Sequence, residues 1–222
     1  MKNLLLPLLL IGTVACNSQP ADHFVLRGTV PGAMDSTLVE LLPEWSFANR
    51  FTAYILNEKF EIRGQFDRPV YCKLQLNNQD ICDRKGIEDD DIIKYVEVPF
   101  FAENGNLTFQ TPHIDSLPES FWRYDIRKEK NYTLKGSPAQ DVFFRYQQQT
   151  IPHRYNINFY KDAYQERGDM ADYKTLLDNR QKLETIVRSF IQENNNLYVN
   201  LFLAESLKRS PFTYDQAYLD EL

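Results

Sequence analysis

Apolar and polar residues alternate with a period of two along the first part of the chain. Between Phe24 and Val30, for example, Phe24, Leu26 and Val30 fall on one side of an extended segment and Arg27 falls on the other. Short segments of the same kind follow at 37–42, 60–64, 70–76, 92–101, 107–110 and 132–135. This period predicts antiparallel strands with one buried face, and hence a β-sandwich or an open barrel.

Turn-forming residues separate the predicted strands at Pro31-Gly32, Asn57-Glu58, Asn77-Asn78 and Glu103-Asn104-Gly105-Asn106. An Asn-Gly pair adopts positive φ with little strain, so Asn104-Gly105 favours a hairpin. We therefore expect the strands on either side of this pair to be joined by a hairpin connection.

The apolar period lengthens to that of an α-helix after Gly136. Ser137-Pro138-Ala139-Gln140 is a capping box with proline at the first helical position, which predicts a helix start. We expect Pro152 to interrupt this helix, whose pattern resumes near residue 157 and stops at Gly168. Further helices are predicted at 170–193 and 197–207, and a second capping box occupies residues 213–216.

Together the two periods predict an α+β fold in which strands and helices are segregated along the chain. An antiparallel β-sandwich-like domain is expected at residues 23–136, followed by a packed α-helical segment at 137–222. The last predicted helix has barely begun when the sequence stops at Leu222, so we expect this segment to be incomplete at its C-terminal end.

The first sixteen residues resemble an export signal. Lys2 precedes an apolar run from Leu4 to Ile11, which is shorter than the roughly 20 apolar residues that cross a bilayer. Thr13-Val14-Ala15-Cys16 resembles a bacterial lipobox, whose cysteine is acylated and then becomes the first residue. We predict a signal peptide at 1–16, a linker at 17–22 and a lipid on Cys16 that anchors the protein to a bacterial membrane, facing the periplasm or the cell surface. An ordinary signal peptide with a chance cysteine is the alternative.

The net charge of −6 argues against a nucleic acid partner, because phosphate binding requires clustered Lys and Arg. His23, His113 and His153 lack the spacing of a zinc site. The acidic run at 88–91, with Asp80 and Asp83 nearby, lacks the alternation of a calcium loop and is interpreted as solvated. The sequence carries no hydrolase, Walker or dinucleotide motif, so we expect no metal, no cofactor and no catalytic residue.

Several short motifs resemble a single family. In chain order they are Phe24-Val25-Leu26-Arg27-Gly28, Val39-Glu40-Leu41-Leu42, Phe60-Glu61-Ile62-Arg63-Gly64 with Pro69, Phe101-Ala102-Glu103-Asn104-Gly105 and Leu134-Lys135-Gly136-Ser137. They are similar to an uncharacterised β-domain at the amino end of TlpA-like thiol-disulfide oxidoreductase lipoproteins of certain Gram-negative bacteria. In that family a helical segment and then a thioredoxin-like domain follow, so the resemblance implies the same order of domain and helices here.

The chain departs from that family in its cysteines. The thioredoxin-like domain uses a Cys-x-x-Cys pair at a helix start, which lowers the thiol pKa, and this chain has no such pair. The resemblance therefore implies a non-catalytic envelope lipoprotein module that tethers or docks a protein partner. The alternatives are the front half of a truncated thiol-disulfide oxidoreductase and a sugar- or peptidoglycan-binding lipoprotein.

Cys72 and Cys82 are the cysteines that remain beside Cys16. Cys72 lies on the apolar side of its predicted strand and Cys82 follows the next turn, so a disulfide across a hairpin is a candidate in an oxidising compartment. The alternative is a buried, inert Cys72 and an unrelated Cys82.

Two further sets of residues are candidates for surface roles. Trp45, Trp122 and Tyr124 could form an aromatic binding surface for a sugar or a protein, or could simply fill the core. Ser36 and Ser116 follow Asp35 and Asp115 in tripeptides that resemble the Asp-Ser/Thr-apolar acceptor of an O-glycosylation system, although such short patterns also arise by chance.

Overall fold

A computed structural model describes residues 21–44, 50–77, 79, 86, 95–117 and 132–208. Within these residues, eight strands precede three helices. The strands are β1 (Phe24–Thr29), β2 (Leu38–Pro43), β3 (Phe51–Tyr54), β4 (Lys59–Gly64), β5 (Val70–Asn77), β6 (Tyr95–Ala102), β7 (Gly105–Gln110) and β8 (Thr133–Lys135). The helices are α1 (Pro138–Arg167), α2 (Met170–Glu193) and α3 (Leu197–Lys208), and one turn of 3-10 helix spans Ile114–Ser116.

The strands form two four-stranded sheets that pack face to face. Sheet 1 has the order β4-β1-β7-β8 and sheet 2 the order β3-β2-β5-β6. The predicted α+β fold with an amino-terminal sandwich is thus confirmed. One pair departs from the expected antiparallel arrangement: β1 and β7 are parallel, with Phe24 opposite Gly105 and Thr29 opposite Gln110. Strand β1 pairs with β4 on its other edge, so β1 and β7 are the two central strands of sheet 1. The first strand of the sandwich thus lies beside one of its last.

The main core lies between the sheets, where the inward-facing residues of both are apolar. Buried members include Phe24, Leu26, Val39, Leu41, Phe60, Ile62, Cys72, Leu74, Val98, Phe100, Leu107 and Phe109. A second core joins Phe101 on the opposite side of β6 to residues of the three helices, among them Phe143, Tyr146, Phe190 and Leu203. The helices therefore form a third layer on the outer face of sheet 2.

The predicted hairpin at Asn104-Gly105 is wrong. Strand β6 belongs to sheet 2 and β7 to sheet 1, so this turn carries the chain from one sheet to the other. The Asn104 side chain fixes the crossing, because its Oδ1 accepts from the backbone N–H of Phe66 at 2.9 Å and its Nδ2 donates to the carbonyl of Phe66 at 2.8 Å. A positive φ of 135° at Gly105 is the feature that the sequence did indicate.

Strand β3 was not predicted from the sequence. It is an edge strand of sheet 2 with only four residues, of which Phe51 and Ala53 are half-buried against the main core and Thr52 and Tyr54 are exposed. Two alternations are at the lower limit of what a period of two can show, so a strand this short carries a weak signal.

The predicted interruption at Pro152 is also wrong, because α1 continues through it. Proline cannot donate to the carbonyl four residues earlier, but Pro152 and Gln148 are both exposed, so water can satisfy that group. Tyr146 before Pro152 and Ala163 after it are both buried, which holds the two halves of the helix against the protein. The predicted end at Gly168 and the bounds of α2 are confirmed, whereas residues 213–216 lie outside the described residues.

Candidate functional site

Three polar side chains fasten the start of α1 to β6. Ser137 Oγ accepts from the backbone N–H of Gln140 at 3.1 Å, which is one half of the predicted capping box. Gln140 Oε1 turns instead to the sheet, where it accepts from the backbone N–H of Phe101 at 2.8 Å. Glu103 Oε1 accepts from the Ser137 hydroxyl at 2.7 Å and from the N–H of Ala139 at 3.0 Å. A carboxylate in this position also interacts favourably with the helix dipole.

The motifs that carry the family resemblance meet at this helix start and in the adjoining sandwich. Gly136 has φ 95°, and a Cβ there would lie 2.1 Å from the carbonyl oxygen of Asn106. A Cβ at Gly64 would lie 2.3 Å from the Phe51 ring and 2.6 Å from the Phe24 ring. These motifs thus have structural roles, since they hold the sandwich together and position α1.

A cavity of about 350 Å³ lies where sheet 2 meets α3. We call it the seam cavity. Its apolar lining consists of Pro43, Phe51, Phe66, Pro69, Val70, Tyr71, Phe101, Tyr198, Leu201 and Phe202, and its polar lining of Gln65, Asp67, Arg68 and Glu205. The volume is at the small end of the range of about 300–1,000 Å³ for ligand pockets, so it suits one aromatic or branched side chain.

Stacked aromatic rings form the inner wall of the seam cavity. The ring of Tyr71 stacks on that of Phe202 at 4.2 Å, and Phe101 meets both rings edge-on at 5.6 Å. Burial raises the pKa of the Tyr71 phenol, and the nearby Glu44 carboxylate adds to the effect, so this hydroxyl stays neutral at physiological pH. The wall therefore offers uncharged aromatic surface to a ligand.

The outer rim of the seam cavity is exposed. Leu201 is 49% exposed, and Leu197, one turn earlier on α3, is 61% exposed. Arg68 and Asp67 are exposed and line the same cavity as Leu201. An apolar ridge next to charged residues can bind a peptide segment by combining burial of an apolar side chain with orienting ion pairs.

A family model described as a domain of unknown function, DUF4369, matches residues 24–143. The chain belongs to this family. The DUF4369 match spans the eight described strands and extends into the first turns of α1. It therefore includes Glu103, Ser137 and Gln140, whose hydrogen bonds hold the start of α1 on β6. No curated protein matches the chain.

Several predicted site residues of this DUF4369 protein lie outside the described residues. They are Cys16, Cys82, Trp45, Trp122 and Tyr124, together with the acidic run at 88–91. The predictions made for them stay predictions. Within the described residues, no group of three or more His, Cys, Asp or Glu side chains could hold a metal ion. In the same part of the chain, no helix is both long and apolar enough to span a bilayer.

Cys72 is buried between the two sheets. Its Sγ lies 3.5 Å from the carbonyl oxygen of Val70, and burial raises the pKa of the thiol. The described position fits the inert interpretation of this cysteine, and the bridge to Cys82 stays a prediction.

The two candidate acceptor serines differ in exposure. Ser36 is exposed in a turn with φ 73°, where its backbone N–H donates to the carbonyl of Ile55 at 2.8 Å. Ser116 is half-buried at the end of the 3-10 turn. Ser36 is therefore the more accessible of the two.

His153 lies beside a second, larger groove between α1 and α2. Its Nδ1 is 3.4 Å from Oδ1 of the buried Asn179, which also accepts from Asn156 Nδ2 at 3.2 Å. Asn179 Nδ2 donates to the carbonyl of Thr175 at 2.9 Å. This network holds the two helices together, so His153 has a structural role.

The residues of the seam cavity were not singled out from the sequence. Pro43, Arg68, Tyr71 and Phe202 come from three separate parts of the chain, and only the packing of α3 on sheet 2 brings them together. The one local signal was on α3, where Leu197 and Leu201 extend the apolar pattern beyond the face that is buried by Val199 and Leu203.

Proposed function

We propose that this DUF4369 protein is a non-catalytic, lipid-anchored envelope module that holds a protein partner at the seam cavity. The observation that carries the proposal is the aromatic cavity of about 350 Å³ with the exposed Leu201 of α3 at its rim and the exposed Leu197 one turn away. Exposed apolar side chains next to a preformed pocket are typical of docking surfaces.

The lipid anchor is inferred from the sequence. Cys16 ends an export signal, and the linker 17–22 places the sandwich within a few residues of the acyl chains. A lipid at this position would hold the body at the membrane without spanning it.

The partner is inferred from the chemistry of the cavity. One apolar or aromatic side chain can lie in the seam cavity against Tyr71, Phe202 and Leu201, and neighbouring charged groups of the partner can pair with Arg68 or Asp67. We therefore expect a protein segment in which a large apolar residue is flanked by charges of both signs.

The test is site-specific photocrosslinking in the native envelope. A photoreactive amino acid at position 201 should give one discrete adduct, and the exposed variants Leu197→Asp and Arg68→Ala should each reduce it at least fivefold. Phe159 on α1 is exposed by the same 49% and provides the matched control position. The proposal is wrong if position 201 gives no adduct, if position 159 gives the same one, or if neither variant reduces it.

The front half of a truncated thiol-disulfide oxidoreductase is the second candidate, supported by the motif resemblance. In that case the seam cavity would receive the catalytic partner itself, supplied as a separate chain. The identity of the protein crosslinked to position 201 distinguishes the two candidates. Only the second candidate predicts that it is a thioredoxin-like protein encoded next to this one.

A further inference from the structure

The outer face of sheet 1 is a grid of mostly exposed polar residues on the side of the protein opposite the helices. Strand register arranges them in three rows across the sheet. The rows are Arg63-Val25-Asn106, Glu61-Arg27-Thr108-Lys135 and Lys59-Thr29-Gln110-Thr133. All of these residues are exposed except Val25 and Thr29. With strands about 4.8 Å apart, the grid covers roughly 14 Å in each direction.

This grid is basic although the chain as a whole is acidic. It carries the cations Lys59, Arg27, Arg63 and Lys135 and the single anion Glu61, within a protein of net charge −6. Glu61 lies between the two arginines, accepting from Arg63 Nε at 2.7 Å and from Arg27 Nε at 2.8 Å. These contacts align the guanidinium groups on the surface and leave an excess of three positive charges.

The grid is also the part of the body closest to the predicted anchor along the chain. Strand β1 runs through its centre and begins at Phe24. The six linker residues 17–22, which lie before His23, can extend about 20 Å. That length is enough for the whole face to lie against a membrane that holds an acylated Cys16.

We propose that the outer face of sheet 1 lies on the anionic phospholipid headgroups of the membrane that holds the protein. The inference rests on the proposed function for its anchor at Cys16. Anionic headgroups complement the charge excess of the grid, and the sheet holds its four cations on one face, where they can contact the headgroups together. In this orientation the helices and the seam cavity point away from the membrane, where a partner can reach them.

The test uses the full mature chain with Cys16→Ser, so that binding through an acyl chain is removed. Co-sedimentation is measured with vesicles of phosphatidylcholine alone and of phosphatidylcholine mixed equally with phosphatidylglycerol. We expect binding to the anionic vesicles only, reduced by high salt because the attraction is electrostatic. An acidic protein would otherwise be repelled by such vesicles.

Two sets of variants with the same change in net charge locate the binding surface. Replacement of Arg27, Arg63, Lys59 and Lys135 by glutamine should reduce binding at least tenfold, since one cation near an anionic surface contributes about fivefold. Replacement of the exposed helical residues Arg145, Lys161, Lys174 and Lys182 by glutamine should change binding less than twofold. Glu61→Gln should increase it.

Three results would overturn the inference. They are an absence of binding to anionic vesicles at low salt, an equal loss in the helical variant, and binding to soluble dextran sulfate without binding to vesicles, which would indicate a polysaccharide ligand instead. Fatty-acid labelling of Cys16 is measured separately, so failure of the anchor and failure of the membrane-facing sheet are distinguishable.

Discussion

The side chain of Gln140 accepts a hydrogen bond from the backbone N–H of Phe101, with 2.8 Å between Oε1 and N. In an isolated capping box this glutamine would reach back to the residue that begins the helix. Here the Gln140 side chain points away from the helix and binds a strand. A residue of the capping box therefore makes a contact between the helical layer and the sheet. The bond is buried, and it joins two positions that are 39 residues apart within the DUF4369 match.

We predict that Gln140→Ala lowers the free energy of unfolding by about 1–3 kcal/mol, because it leaves the buried N–H of Phe101 without an acceptor. Urea unfolding followed by circular dichroism measures the change. Gln148→Ala, at an exposed site on the same helix, is the matched control and should change the free energy by less than about 0.5 kcal/mol. Equal effects of the two substitutions would show that the bond to Phe101 contributes nothing specific.

The sequence predicted the elements whose signal is local. The ends of α1, the bounds of α2 and the buried faces of β1, β4 and β5 follow from residues a few positions apart, and all of them are confirmed. Errors arose where tertiary contacts outweigh local preference. Pro152 stays helical because flanking residues are buried, and Asn104 crosses between sheets because its amide binds the backbone of Phe66. The seam cavity depends on contacts between distant segments and has no local signature.

Stability should decrease at alkaline pH because of the buried thiol. Burial raises the pKa of Cys72 in the folded protein, whereas the unfolded thiol titrates near its ordinary value of about 9. A raised pKa means that the full stability is present below pH 9 and is lost as the pH rises above it, at up to about 1.4 kcal/mol per pH unit. Unfolding free energies of the wild type between pH 8 and pH 10 should show this slope, and Cys72→Ala should have a shallower one. Parallel curves for the two proteins would contradict the assignment.

We predict that the mature chain does not turn over disulfides. Exchange requires an accessible thiolate, and the Cys72 thiol is fully buried with a raised pKa. Reduction of a protein disulfide is assayed with an external thiol donor, for the wild type and for the double variant Cys72→Ser, Cys82→Ser. Multiple turnovers by the wild type that disappear in the double variant would restore the oxidoreductase interpretation.

If the protein is glycosylated, Ser36 should be the preferred acceptor, because it is exposed in a turn and Ser116 is half-buried. Intact-mass analysis of native protein should show additional mass that Ser36→Ala reduces more than Ser116→Ala does. Glycan mass that is unaffected by Ser36→Ala, or a native mass explained by the lipid alone, would remove Ser36 as an acceptor.

The central claim is that the protein is held at a membrane by its lipid, and metabolic labelling with a fatty-acid analogue tests it most directly. Of the three cysteines in the sequence, Cys16 is the one at the end of the predicted export signal. The wild type should incorporate the label and remain with the membrane fraction, whereas Cys16→Ala should incorporate none. Equal labelling of Cys16→Ala, or an unlabelled wild type, would contradict the claim.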